Sequence, residues 1–142
     1  MSRLPIIVAV LACTGCCVSN VTKVRNRSGR NILVSTGFPA ASIFIPAGAA
    51  RSIPGVFRGL SDSWVIADSN AEYTFNDVSA IGHLERPCLS RSRFTGDFPC
   101  LRFTEHVAID PQMEVLAVNR AGQKVVQTNG FPIHFTGKSD KQ

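Results

Sequence analysis

Arg102-Phe103-Thr104-Glu105-His106-Val107-Ala108-Ile109-Asp110 alternates with a period of two. On an extended chain Phe103, Glu105, Val107 and Ile109 share one face, and Arg102, Thr104, His106 and Ala108 share the other. A helix would need apolar residues at a 3.6 spacing over about ten to twelve residues, and no segment of this chain sustains that. Asp110-Pro111-Gln112 then supplies a turn, and residues 113–119 (MEVLAVN) return as a second strand. Arg120-Ala121-Gly122 turns into a strand over 123–127. Thr128-Asn129-Gly130 leads to a last short strand over 131–135, where Pro132 favours a sheet edge.

The same pattern runs upstream. Residues 21–26 alternate, 27–30 (RSGR) carry turn chemistry, and 31–35 (NILVS) read as the next strand. Residues 42–45 are stopped by Pro46-Ala47-Gly48, and 51–53 are broken by Pro54-Gly55. Residues 63–67 and 72–75 pair through Asp68-Ser69-Asn70. Residues 76–98 are the least regular and accommodate either a loop or a short helix near 78–84. Many short strands separated by turns predict an all-β fold, a small antiparallel β-sandwich or barrel over residues 21–135. The polar residues 136–142 are expected to fray.

Composition agrees. Of 142 residues 44% are hydrophobic and only 18% charged, too little charge for a disordered tail or a coiled coil. With 15 Lys+Arg against 10 Asp+Glu the chain is mildly basic. The length suits one domain, and neither a repeat nor a composition shift divides it.

The first residues differ from the rest. Met1-Ser2-Arg3 precedes an uncharged run over 4–12 (LPIIVAVLA), the form of an export signal. The run is shorter than the roughly 20 apolar residues that cross a bilayer as a helix. Cys13-Thr14-Gly15-Cys16-Cys17 follows. This stretch resembles the lipobox of bacterial lipoproteins, in which an aliphatic residue, a small residue and Gly or Ala precede the acylated cysteine. Thr14-Gly15-Cys16 matches its last three positions, and Cys13 stands where the aliphatic residue belongs. Val10-Leu11-Ala12-Cys13 is the alternative frame. The resemblance implies a signal over 1–15, acylation at Cys16 (alternatively Cys13), a short tether over 16–20 and a lipid anchor in the membrane. Cys17 in place of Asp after the anchor favours the bacterial outer membrane. A periplasmic or secreted protein is the alternative.

Five cysteines then sort themselves. Cys88 and Cys100 remain as the pair within the folded region, and an oxidising compartment predicts a disulfide between them. Cys17 stays free or pairs between chains.

The chemistry-bearing residues point to binding more than to catalysis. His83, His106 and His134 are widely separated, without the His-x-x-x-His spacing of a zinc site, and no cofactor or metal is expected. His106, beside Arg102 and Thr104, is expected on a solvated or partly buried face. Two basic features stand out. Lys23, Arg25 and Arg27 alternate along one strand, a stripe suited to anionic headgroups or to guarding a sheet edge. Arg91, Arg93, Phe94 and Phe98 lie between Cys88 and Cys100. There guanidinium forks and aromatic rings could meet an envelope protein or glycan, or simply cap the sandwich. No nucleic-acid module is visible. The expectation is a non-enzymatic, lipid-anchored envelope protein with a binding or scaffolding role. Its alternatives are an envelope hydrolase with a dispersed active site and a secreted disulfide-containing binding domain. For the latter, Asn20-Val21-Thr22 and Asn26-Arg27-Ser28 would be glycan acceptors.

Overall fold

The computed structural model describes residues 17–37, 40–54, 63–76, 83–84, 88–91, 99–127 and 130–142. Among these residues the chain forms strands and no helix. One sheet contains β1 (Cys17–Asn26), β4 (Ala50–Pro54), β7 (His83–Leu84), β8 (Cys88–Arg91), β9 (Pro99–Ile109) and β10 (Val115–Ala117). The other contains β2 (Ile32–Thr36), β3 (Ala41–Ile45), β5 (Trp64–Ala67), β6 (Ala71–Phe75) and β11 (Gly137–Asp140), in the order β11-β6-β5-β2-β3.

The long strand β9 organises the first sheet. Along one edge β1 pairs with it from Cys17↔Cys100 to Asn26↔Ile109. Along the other, β8, β7 and β10 are laid end to end. The β1–β9 pairing is parallel, a departure from the antiparallel expectation; every pair in the second sheet is antiparallel. A parallel pair cannot be closed by a tight turn, and here four strands of the second sheet, β2, β3, β5 and β6, lie in the crossover between its strands.

Alternation places the core between the sheets. Val24, Ile53, Val107, Ile109, Val115 and Ala117 face it from one side; Ile32, Val34, Ile45, Trp64, Ile66, Tyr73 and Phe75 face it from the other. Two sheets sharing one core form a sandwich and not a closed barrel. Phe135 adds its ring edge to Tyr73 and Phe75, with centroids at 5.1 and 6.3 Å. Burying each large apolar side chain contributes roughly 1.5–3 kcal/mol.

Several boundaries move. The residues expected as a tether after Cys16 lie within β1, which begins at Cys17. The tail expected to fray pairs instead with β6, and the Thr136 and Lys141 amides donate to the Thr74 and Asn70 carbonyls. Its Lys and Asp make a polar edge strand, as an exposed sheet edge requires. The strands expected over 123–127 and 131–135 reduce to single bridges, Val118↔Lys124 and Val115↔Ile133. Where a short helix or loop was expected, His83 and Leu84 form β7; residues 77–82 lie outside the described residues.

Candidate functional site

Polar side chains concentrate where the chain passes from one sheet to the other. Asn26 ends β1 with its side chain fully buried. Its Nδ2 donates to the carbonyls of Arg30 (2.6 Å) and Ile45 (2.9 Å), and its Oδ1 accepts from the backbone and hydroxyl of Ser28. A buried amide with both ends satisfied fixes the turn into β2. It also removes Asn26 as a glycan acceptor in the folded chain, since Nδ2 is committed inside.

Beside it, Arg30 reaches Asp68 on the β5–β6 turn, Nη1 to Oδ2 at 2.7 Å, and donates through Nη2 to the Pro111 carbonyl. Asp68 is buried; its Oδ1 accepts from the amides of Asn70 and Ala71 at 2.7 and 2.8 Å. Lys141 Nζ donates to the Asp68 carbonyl. Burial alone pushes the Asp68 carboxyl up. The two amide donors, with the Arg30 and Lys141 charges, outweigh it and hold the group below the ordinary carboxylate value. Asp110 repeats the motif more simply, its Oδ1 accepting from Gln112 and Glu114.

Two members of the basic stripe are spent on the backbone. Arg25 Nη2 donates to the Arg120 carbonyl at 2.8 Å, and Arg27 Nη2 donates to the Gly122 carbonyl. Gly122 takes a positive φ of 82°, with the Arg25 guanidinium packed against it. Lys23 is half-buried, opposite His106 in β9 and Ser52 in β4. The stripe therefore clamps the 119–122 turn onto the outer face of the first sheet.

That clamp explains a correction. His106 is only 3% exposed, not solvated, and its neighbour Ala108 is fully buried. The return through Val118, whose amide donates to the His106 carbonyl, covers this face. His134 has a carboxylate partner: Nδ1 lies 2.8 Å from Glu114 Oε1, on open surface with the imidazole side chain 66% exposed. Register sets His83 opposite His106. Among the described residues no group of three or more His, Cys, Asp or Glu could hold a metal ion.

The other end of the first sheet holds the cysteines. Cys17 pairs with Cys100, Ser90 with Cys100 on its far side, Cys88 with Arg102, and Arg91 with Pro99. Cys13, Cys16, Arg93, Phe94 and Phe98 lie outside the described residues, as do the side chains of Cys17, Cys88, Arg91 and Cys100. The connection carrying Arg93, Phe94 and Phe98 leaves and re-enters the sheet at Arg91 and Pro99, beside the first residue of β1.

Sequence reasoning found the arginines and missed what they bind. It also missed Asn26 and Asp68 as organisers, although Asn26-Arg27-Ser28 and Asp68-Ser69-Asn70 carry the Asx-turn signature that could have found them. The fold defines the class, a small β-sandwich with one parallel strand pair among the described residues. Comparison with protein-family models, with curated proteins and with solved structures finds no match to this chain. No helix among the described residues is long and apolar enough to cross a membrane.

Proposed function

We propose that the chain is an envelope protein anchored in the outer membrane through acylated Cys16, with a binding or scaffolding role exercised at the anchored end. The observation that carries this reading is the position of Cys17. The residue after the lipobox-like cysteine is already the first residue of β1, one register position from the Arg91↔Pro99 pair. An anchor on Cys16 would hold that end of the sheet at the bilayer, since two or more acyl chains anchor stably. The connection bearing Arg93, Phe94 and Phe98 would then stand near the headgroups. Guanidinium forks there suit the carboxylates or phosphates of an envelope protein or glycan, and phenylalanine suits a sugar face. Arg25, in contrast, lies roughly 26 Å further along β1 and is engaged by the Arg120 carbonyl of the 119–122 turn.

The test is intact-mass analysis of protein extracted from membranes. A diacylglyceryl adduct on a chain starting at Cys16, lost in Cys16→Ser, is the expected result. An unmodified mature N-terminus overturns the anchor. In the same preparation, Arg91→Ala with Arg93→Ala should abolish chemical crosslinks to envelope components; unchanged crosslinks overturn the binding role of that connection.

A further inference from the structure

Cysteine spacing alone favours Cys88 with Cys100, whereas the strand register offers Cys100 a nearer neighbour. Cys17 and Cys100 are direct partners on adjacent parallel strands. Neighbouring strands run about 4.7–4.9 Å apart, inside the Cα separation of about 4.4–6.8 Å that a disulfide spans. Cys88 pairs with Arg102, and Cys100 pairs with Ser90, so Cys88 and Cys100 stand two residues out of register. Such diagonal neighbours lie about 7–8 Å apart, beyond the usual span unless the backbone moves. The contrast lies entirely in backbone pairing. We propose that Cys17 and Cys100 form the disulfide of this domain, joining the first strand to the central one, and that Cys88 stays a thiol.

The chemistry balances with a small disulfide as oxidant. One cysteine thiolate attacks glutathione disulfide, breaking its S–S bond and releasing one glutathione thiol. The second cysteine attacks the resulting mixed disulfide, forming the Cys17–Cys100 bond and releasing the other glutathione. Two protein thiols are oxidised and one glutathione disulfide is reduced to two thiols. This step needs neither export nor an anchor, so it fails or succeeds separately from the function proposed above.

The experiment uses the full 142-residue chain with Cys13→Ser and Cys16→Ser, oxidised natively with glutathione disulfide, alkylated, and cut by trypsin without reductant. The three remaining cysteines fall on separate peptides: Cys17 on 4–23, Cys88 on 59–91 and Cys100 on 94–102. The expected result is peptide 4–23 linked to 94–102, with Cys88 alkylated. A link between 94–102 and 59–91, a link between 4–23 and 59–91, or alkylation of all three cysteines overturns the proposal. Oxidation should also raise Tm by roughly 5–15 °C. Cys88→Ser should keep that rise, and Cys17→Ser should lose it. The opposite pattern refutes the assignment even if one variant is too unstable to map.

Discussion

The two ends of the first sheet treat their polar residues in opposite ways. At the end where β1 finishes, Asn26, Arg25, Arg27, Arg30 and Asp68 are all tied to carbonyls, amides or one another. At the end where β1 begins, the backbone brings together Cys17, Cys100, Arg91 and Pro99, beside the connection whose sequence carries Arg93, Phe94 and Phe98. Charge alone would have ranked the ends the other way, since the stripe at 23–27 is the most regular basic pattern in the chain. An arginine whose guanidinium already holds a turn in place has little left to offer a partner. The crossing end builds the fold, and the cysteine end is where recognition is proposed.

The sharpest challenge to that division is Asn26→Asp. The substitution keeps the shape and the Oδ1 acceptor but replaces the Nδ2 donor with an oxygen facing the Arg30 and Ile45 carbonyls. The buried Ile45 carbonyl and the part-buried Arg30 carbonyl lose the Nδ2 donor, and a charge is buried among them. The expected loss is on the order of 3–5 kcal/mol, read as a lowered urea midpoint. A loss under about 1 kcal/mol would mean that the crossing does not depend on this amide, and the structural half of the comparison would collapse.

Asp68 tests the same end through pH. Its folded carboxyl sits below the ordinary value of 3.8, so the unfolded chain takes up the proton first as pH falls. The stabilisation is complete above the unfolded value and drains away as pH drops from there through the folded one. Asp68→Asn keeps an acceptor for the Asn70 and Ala71 amides while removing the charge opposite Arg30. It should cost about 2–4 kcal/mol at neutral pH, with a shallower acid limb than the parent. Parallel stability curves between pH 5 and pH 2 would show that Asp68 is not the group responsible.

What was legible in the sequence follows the same line between local and distant information. The alternation of 102–110 fixes which residues of β9 share a face, and Val107 and Ile109 do face the core. It cannot tell that the opposite face is also covered. That depends on a turn at 119–122 folding back, and on Arg25 and Arg27 meeting carbonyls that carry no side-chain signature. Tight turns announce hairpins, so the β5–β6 pair of the second sheet could be read from Asp68-Ser69-Asn70. A parallel pair joined through most of another sheet leaves no mark near either strand, and β1 against β9 went unforeseen. The tail failed for a third reason: Gly137, Lys138, Ser139 and Asp140 suit an exposed edge strand as well as they suit a frayed end.

The smallest effect is the most discriminating, because it asks whether Arg25 is truly committed. Gly122 has φ +82°, where any L-residue is strained, and a methyl group there would stand 2.7–2.9 Å from the Arg25 Nε, Cδ and Cζ. Gly122→Ala should therefore cost about 2 kcal/mol, roughly half from the backbone and half from displacing a guanidinium that holds the Arg120 carbonyl. The two parts separate in a double-mutant cycle. If Arg25 is part of the clamp, Arg25→Ala relieves the steric share, and the pair of substitutions costs less than the sum of the singles by about 1 kcal/mol. If Arg25 swings freely to solvent, it yields to the new methyl without loss, and the two costs simply add. Additivity would return Arg25 to the pool of cations available to a membrane or partner, and the contrast between the two ends of the sheet would lose its basis.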